Sequence, residues 1–199
     1  MLSRRDLDPD PLRQFGRWYE EAERAGFIEP TAMVLATVDA EARPSARLVL
    51  LKSWDERGFL FFTHYDSRKG RELAVHPRAA LLFWWDRLGW QVRLEGEVEV
   101  VSGAESDAYF AGRPRESQLA AHASPQSRPI AGRAELEARF AAAAQRFAEQ
   151  PVPRPERWGG YRLRPERCEF WSQGPNRLHD RFEYTREADG RWRLTRLGP

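Results

Sequence analysis

The sequence predicts a mainly β fold with flanking helices (α+β), in which the strands form a small barrel. The chain has 199 residues, of which 41% are hydrophobic and 12% aromatic, and this is enough to bury one sizeable core. Five β-rich runs follow one another within about seventy residues, as in small barrels. Helical patterns lie mainly before and after these runs. We expect one domain over residues 1–199, composed of a helical segment (1–27), a barrel core (28–101), a helical region (102–150) and C-terminal strands (151–199).

The first helix has a clear start and a clear end. Asp10 followed by Pro11 is typical of an N-cap and a first helical turn. Apolar residues then recur at helical spacing as far as Gly26, which ends the pattern. These residues are Leu12, Phe15, Trp18, Tyr19 and Ala22. The spacing predicts an amphipathic helix between Pro11 and Gly26.

Turn-forming residues separate the strands of the predicted barrel. The runs rich in β-forming residues cover 33–38, 46–54, 59–63, 79–85 and 90–101. Asp, Pro and Gly in the segments between the first three runs predict an antiparallel meander. Ser67 can cap a short helix that reaches His76, just before Pro77.

The second half of the chain mixes helices, a loop and strands. Ser102 and Glu105 form a capping box, which predicts a helix over 103–111. We expect residues 112–132 to be an irregular loop facing a ligand, because this segment is polar and contains three prolines. The remaining predicted elements are a helix over 135–150, strands at 161–163, 169–171, 182–186 and 191–197, and a hairpin turn over 187–190.

Composition excludes several classes of function. The formal net charge is +2, so no strong overall field attracts nucleic acid. No run of about 18 apolar residues and no secretory leader occurs, so we expect no membrane segment and a cytoplasmic location. Cys168 is the only cysteine and is expected to be a buried, inert thiol. The motifs of dinucleotide folds, P-loops and zinc proteases are absent, and the histidines lack metal-ligand spacing, so we expect no metal.

The basic residues are unevenly chosen, with 30 Arg and only two Lys. Arg47 and Lys52 bracket an apolar strand, and Thr63 ends a strand shortly before Ser67-Arg68-Lys69 opens a helix. A hydroxyl and two cations at a helix N-terminus favour a phosphate monoester. On a regular strand Arg47 and Lys52 point to opposite faces, so they are expected to have different tasks unless a bulge intervenes. Alternatively, both are strand-end charges that reach water.

Two further groups of polar residues could bind a ligand. Tyr109, Arg113 and Ser117 are spaced four apart, and the proline after Arg113 makes them a helix-end constellation that could hold another phosphate. Packing of Tyr109 and helix capping by Arg113 explain these residues nearly as well. Gln126-Ser127 and Gln91 offer amide groups for the edge of a heteroaromatic ring, although a single Gln more often faces solvent.

The densest polar group follows Trp171. A Gly-Pro turn precedes Arg177, His179 and Arg181, which alternate along the chain and are expected on one face. Groups of like charge repel one another unless an anion lies opposite them, so this pattern favours a ligand over a solvated face. A Ser-His-Asp triad can be written down, but no nucleophile elbow surrounds a candidate serine, and hydrolysis is disfavoured.

Together these motifs resemble the pyridoxine/pyridoxamine 5′-phosphate oxidase family, FMN enzymes of vitamin B6 metabolism. The resemblance extends from Arg5-Asp6-Leu7 to the C-terminus. It rests on residues 47–52, Ser67-Arg68-Lys69, Gln126-Ser127, Glu169-Phe170-Trp171 and the run Arg177-Leu178-His179-Asp180-Arg181. It implies an FMN-binding split β-barrel and a homodimer, with two FMN molecules in clefts at the subunit interface.

Carried over position by position, the resemblance implies three groups of site residues. FMN would be held, largely through its phosphate and ribityl chain, by Arg47, Arg68, Lys69, Gln126 and Ser127. The flavin pocket would be formed by Leu48, Val49, Leu50, Leu51, Lys52, Phe62, Thr63, Gln91, Trp171 and Arg181. The vitamer phosphate would bind Lys52, Tyr109, Arg113 and Ser117, while Arg177 and His179 would lie over the pyridine ring as catalytic residues.

The reaction that the resemblance implies is a hydride transfer from C4′ of pyridoxamine or pyridoxine 5′-phosphate to flavin N5. O2 is then reduced to H2O2, and pyridoxal 5′-phosphate is formed. The flavin carries the redox chemistry and the protein orients it, with His179 a candidate proton acceptor. Two alternatives stay open: a related flavin oxidase of phenazine-biosynthesis type, against which the intact segment 177–181 argues, and a non-catalytic FMN or pyridoxal phosphate binder, which would consume no O2.

Overall fold

The computed structural model describes residues 2–199, which form an antiparallel sheet of nine strands surrounded by five α-helices. The strands are β1 (Ala32–Val38), β2 (Pro44–Leu50), β3 (Ser53–Asp55), β4 (Gly58–His64), β5 (Arg78–Trp85), β6 (Trp90–Val100), β7 (Trp158–Ser172), β8 (Asp180–Arg186) and β9 (Trp192–Leu197). The helices are α1 (Pro11–Arg24), α2 (Arg68–Val75), α3 (Gly103–Ala111), α4 (Arg115–Ala123) and α5 (Arg133–Arg146).

The long strand β7 links the parts of the sheet. The strand order is β2-β1-β5-β6-β7-β4-β3, and β8 and β9 continue from the other half of β7. The start of β7 pairs with β4, its end pairs with β8, and β6 runs along its other side. The register of β6 shifts between Glu95 and Gly96, opposite Pro165. A β-bulge here accommodates a proline that cannot donate to the ladder, and it bends the sheet into a half-barrel.

Helix α1 closes the main hydrophobic core. Its N-cap Asp10 accepts a hydrogen bond from the backbone N–H of Leu12. Phe15 is fully buried, and its ring centre lies 4.9 Å from that of Phe59 and 5.1 Å from that of Phe83. Burying such a side chain contributes about 2–3 kcal/mol, so α1 is held by its apolar face.

A smaller core joins the helices to the start of β7. Phe110 of α3, Leu119 of α4 and Phe147 after α5 pack with Trp158 in this cluster. Nearby, the buried guanidinium of Arg162 forms two ion pairs, at 3.0 Å with Asp55 and at 2.5 Å with Glu105 of α3. These contacts fix α3 and α4 beside the end of β4.

The mainly β fold with flanking helices is confirmed, and α1, α2, α3 and the closing hairpin β8–β9 lie within a few residues of their predicted positions. The prediction of an irregular loop over 112–132 is wrong, because α4 occupies part of it. Pro114 is the N-cap of α4, where its missing N–H costs nothing. The predicted strand 46–54 is divided into β2 and β3, and the predicted strands 161–163 and 169–171 are parts of β7.

No helix within residues 2–199 is both long enough and apolar enough to cross a membrane.

Candidate active site

A cavity of about 750 Å³ lies where β2 and β4 face α3, the start of α4 and the loop after α4. Its walls combine apolar, aromatic and basic side chains, and no Asp or Glu of the described residues lines it. The lining residues are Arg47, Leu48, Val49, Leu50, Lys52, Phe62, Thr63, Lys69, Ala108, Tyr109, Gly112, Arg113, Pro114, Ser117 and Gln126. A wall with four basic residues and no carboxylate favours an anionic ligand.

Arg47 is fixed by a hydrogen-bond network behind this cavity. Its Nη1 donates to the carbonyl oxygen of Leu35 at 3.2 Å and to Thr37, and its Nη2 donates to Ser45 and, at 3.1 Å, to Glu72. Burial alone would raise the pKa of Glu72, but hydrogen bonds from the surrounding hydroxyl and guanidinium groups lower it to about 2. Glu72 is therefore ionised at neutral pH and holds the guanidinium of Arg47 in place.

Lys69 lies in the first turn of α2 and is only 8% exposed. Ser67 caps this helix, and its Oγ accepts from the backbone N–H of Gly70 at 3.3 Å. A Cβ at Gly70 would lie 2.2 Å from the carbonyl oxygen of Tyr65, so this turn requires glycine. Burial, followed by the charge of Arg47, lowers the pKa of Lys69 to about 8. A nearby anion would stabilise the charged form.

Gln126 links the loop after α4 to this cationic group. Its Oε1 accepts from Lys69 Nζ at 2.7 Å and from Thr63 Oγ1 at 3.0 Å. The next residue, Ser127, is exposed, has a φ of +65° and is not among the lining residues of the cavity. Gln126 therefore gives Lys69 an acceptor within the protein.

A second group of residues lines both the main cavity and a smaller one of about 280 Å³. Tyr109 stacks on Phe62, with ring centres 3.9 Å apart. The guanidinium of Arg113 lies 4.7 Å from the ring centre of Trp158, and its Nη1 is buried without a hydrogen-bond partner. Because an unpaired buried donor is costly, an anion fits this position. The other polar residues that line both cavities are Lys52, Thr63, Ser117 and Gln126.

His64 also lines the smaller cavity, and sequence reasoning gave it no role. It is 3% exposed, and its Nδ1 has no hydrogen-bond partner. Burial, followed by the charge of Arg157, lowers its pKa to about 4, so the imidazole is neutral at pH 7. The available signal was its position directly after Thr63, at the end of a strand with a predicted site residue.

Five predicted residues on or near the end of β7 do not line the main cavity, and we call them the Trp171 cluster: Gln91, Trp171, Arg177, His179 and Arg181. Gln91 and Arg181 are the cross-strand neighbours of Trp171 on its two sides. The ring of His179 lies 4.5 Å from that of Trp171. The exposed ring of Trp84 is 6.1 Å from Trp171 on the same part of the sheet. The predicted site residues thus divide into two groups within one chain.

The expectation that Arg177, His179 and Arg181 share one strand face is wrong. Strand β8 begins only at Asp180, and Arg177 lies in a 3-10 turn with a φ of +63°. Arg181 also has a counter-ion, since its Nε donates to Glu169 at 2.8 Å. Repulsion among three uncompensated cations therefore does not describe this segment.

The expectation that Arg47 and Lys52 point to opposite faces is also wrong, because both line the main cavity. Strand β2 ends before Lys52, and the chain bends there into β3. Two other predicted residues do not line this cavity. Arg68 has a largely exposed side chain whose Nε donates to the buried Glu72 at 2.8 Å, and Leu51 is 2% exposed in the main core.

The chain is similar to known proteins over its whole length. Residues 19–147 match the family model described as "Pyridoxamine 5'-phosphate oxidase", and residues 158–199 match "Pyridoxine 5'-phosphate oxidase C-terminal dimerisation region". A pyridoxine/pyridoxamine 5′-phosphate oxidase of Rubrobacter xylanophilus is 60% identical over 198 residues, covering 100% of this chain and 91% of the relative. One of Ralstonia nicotianae is 60% identical over 194 residues, covering 98% and 91%.

Two solved structures are similar to this chain. PhzG from Burkholderia lata, in complex with tetrahydrophenazine-1-carboxylic acid, has a TM-score of 0.93 and 35% identity, and the match covers 100% of this chain and 98% of that one. A pyridoxamine 5′-phosphate oxidase-related FMN-binding protein of Nostoc punctiforme has a TM-score of 0.76 and 17% identity, covering 96% and 98%. The second likeness concerns the split-barrel fold alone.

Proposed function

Since this chain belongs to the pyridoxamine 5′-phosphate oxidase family, we propose that it oxidises pyridoxamine and pyridoxine 5′-phosphate to pyridoxal 5′-phosphate with FMN as cofactor. One observation on the site carries the proposal. Four basic residues line the main cavity, and two of them, Lys52 and Arg113, also line the smaller cavity, whereas Arg47 and Lys69 do not. The cofactor and the substrate of this reaction are both phosphate esters, so the site needs basic residues for two phosphates.

The residues of the first group fit the phosphate of FMN. Lys69 is buried beside another cation, and burial followed by the charge of Arg47 lowers its pKa, so a phosphate placed there would stabilise the ammonium. Thr63 and Gln126 supply polar contacts beside it, and the apolar segment 48–50 offers a wall for a flavin ring. When bound, FMN supplies the two-electron acceptor for the hydride from C4′ and passes the electrons to O2, which gives H2O2.

The second group fits the phosphate of the vitamer. The Nη1 of Arg113 is a buried donor without a partner, which an anion would satisfy. Lys52, Ser117 and Tyr109 line the same space. These residues would bind and orient the substrate, and the stacked rings of Phe62 and Tyr109 line the same space. The alcohol yields pyridoxal 5′-phosphate directly, whereas the amine requires one water and releases ammonia.

The chain forms a homodimer through its C-terminal dimerisation region, residues 158–199. We place each FMN at the subunit interface, so that the Trp171 cluster of one subunit completes the main cavity of its partner. Two features support this placement. Arg177 and His179 lie outside the cavity of their own chain, and Leu48 and Trp84 are 70% and 49% exposed, as expected of an apolar face that another subunit covers.

Subunit mixing tests this arrangement. Arg113→Gln and Arg177→Ala each inactivate the homodimer if both residues serve the site. If each site combines residues of both subunits, a mixed dimer has one site with both changes and one site with neither. Random mixing makes about half of the dimers mixed, so it restores about a quarter of wild-type activity. If Arg113 and Arg177 of one chain serve the same site, mixing restores no activity.

The reaction itself is tested by anaerobic mixing of FMN-loaded protein with pyridoxamine 5′-phosphate. Bleaching of the oxidised flavin band, followed by its recovery in air with formation of pyridoxal 5′-phosphate, is the expected result. A flavin band that never bleaches would favour a non-catalytic FMN or pyridoxal phosphate binder. The likeness to PhzG makes tetrahydrophenazine-1-carboxylic acid the matched second substrate. The vitamer is favoured over it because relatives named for the vitamer are 60% identical and PhzG is 35% identical.

The single-domain organisation over residues 1–199 is also part of this proposal. One continuous sheet contains β1 to β9, and this supports a single folding unit that includes both family regions.

A further inference from the structure

The turn before β8 holds His179 through a backbone hydrogen bond. The N–H of Gly174 donates to Nδ1 of His179 at 3.2 Å. The turn is tight, since a Cβ at Gly174 would lie 2.0 Å from the carbonyl oxygen of Leu178. Asn176 and Arg177 both have positive φ, at 53° and 63°. Such conformations cost about 1 kcal/mol or more each and concentrate at functional sites.

This hydrogen bond determines where the imidazole proton lies. A backbone N–H can only donate, so Nδ1 of His179 must offer its lone pair. A neutral imidazole that accepts at Nδ1 carries its proton on Nε2. The ring of Trp171 packs against the imidazole, with a ring-centre distance of 4.5 Å, and limits its rotation.

We propose that Gly174 is a positioning residue that fixes His179 as the Nε2–H tautomer, so that His179 acts as a hydrogen-bond donor to the vitamer and not as a proton acceptor. The tautomer follows from this chain alone, whereas the role toward the vitamer rests on the proposed function. With Nδ1 engaged and Nε2 protonated, the neutral ring has no free lone pair. When a hydride leaves C4′ of the alcohol, the hydroxyl proton therefore passes to water and not to this ring.

The tautomer can be measured without substrate or turnover. In 15N-labelled protein at about pH 8.5, where an ordinary imidazole is neutral, the couplings between ring protons and nitrogens distinguish Nε2–H from Nδ1–H. The resonances of His179 are assigned by their loss in His179→Gln. We expect the Nε2–H pattern in the wild type, and a predominant Nδ1–H pattern would overturn the proposal.

A glycine variant tests the role of the turn. Gly174→Ala must open the turn because of the clash with Leu178, so we expect a mixture of the two tautomers. Gly132→Ala is the matched control, because a Cβ at Gly132 would meet no atom within 4 Å, and it should keep the wild-type pattern. An unchanged Nε2–H pattern in Gly174→Ala would show that the glycine does not position the ring.

Substitutions of His179 itself distinguish a hydrogen-bond donor from a proton acceptor. A Gln side chain can place an N–H near the position of Nε2, whereas Asn reaches only as far as Nδ1. Losing one hydrogen bond to a ligand costs about 10- to 100-fold in rate. We expect that loss in vitamer oxidation for His179→Asn and His179→Ala, and a loss of no more than about fivefold for His179→Gln.

Equal losses in all three variants would overturn the donor role of His179. Retained FMN fluorescence quenching in each variant confirms that the flavin site is intact. If the wild type does not oxidise the vitamer at all, the proposed function fails while the tautomer assignment stands on its own measurement.

Discussion

Binding of FMN is expected to take up a proton at Lys69. The pKa of this ammonium is lowered from 10.5 to about 8, first by burial and then by Arg47, while Glu72 behind it partly offsets the effect. Keeping the ammonium charged in the ligand-free protein therefore costs about 3 kcal/mol. A phosphate dianion beside Lys69 returns its pKa toward the ordinary value, so binding and protonation are linked.

The direction and size of the effect follow from this linkage. Lys69 is charged in both states below pH 8, so the affinity for FMN is highest there and falls as the pH rises through about 8. If the pKa in the complex is about 10, the Kd for FMN rises about tenfold between pH 7 and 9. FMN remains a dianion throughout this range because its second phosphate pKa is about 6.

Fluorescence titration and calorimetry test this linkage. Riboflavin, which lacks the phosphate, is the matched ligand and should show no comparable change in Kd. Lys69→Arg is the matched variant, since an arginine stays protonated at pH 9, and its Kd for FMN should change less than about twofold. Calorimetry at pH 8 in two buffers should detect uptake of about half a proton per site by the wild type. A wild-type Kd that is constant from pH 7 to 9, without proton uptake, would refute this account of Lys69.

Three further predictions concern buried polar groups. Glu72→Gln should lower the free energy of unfolding of the apoprotein at pH 7 by about 2–3 kcal/mol in urea titrations. The wild type should lose the same increment as the pH falls from 4.5 toward 2, because the folded-state pKa of Glu72 is about 2. An unchanged pH dependence of stability in the variant would contradict this prediction. Arg162→Met removes the ion pairs to Asp55 and Glu105 and should cost about 3 kcal/mol of unfolding free energy without changing the ratio of FMN to riboflavin affinity. Burial raises the pKa of the Cys168 thiol, so a thiol reagent should label it only at the rate of global unfolding, and fast labelling of the folded protein would show that the thiol is accessible.

Local signals in the sequence identify most elements of this fold. Asp10, Ser67 and Ser102 each cap the helix predicted from them, because a cap acts through the nearest backbone groups. Two of the differences between the predicted and the observed elements involve proline. Pro114 lies at a helix start and Pro165 at a β-bulge, so neither interrupts its element. A proline that starts a helix or lies at a β-bulge differs from one that ends an element only in the strand it pairs with or in the packing of the helix that follows. Both of these are long-range features that the local sequence does not show.

The candidate site was predictable as a set of residues but not as an arrangement. Twelve of its members, including Arg47, Lys52 and Arg113, line one cavity. Their relative positions depend on the bend between β2 and β3, which alternation along a strand does not reveal. His64 was missed because a single buried histidine has no sequence pattern, and its lowered pKa arises from burial by distant segments.

Counter-ions explain why Arg113 differs from the other sheltered arginines. In residues 2–199, six arginines are at least partly buried: Arg47, Arg93, Arg113, Arg154, Arg162 and Arg181. Five of them pair with a carboxylate, as the cost of burying a charge requires. Arg113 has no carboxylate partner among the described residues and keeps a buried Nη1 without an acceptor. Arg113 is therefore the exception among these six arginines, and this supports the proposal that an anion in the cavity, such as the vitamer phosphate, pairs with its guanidinium.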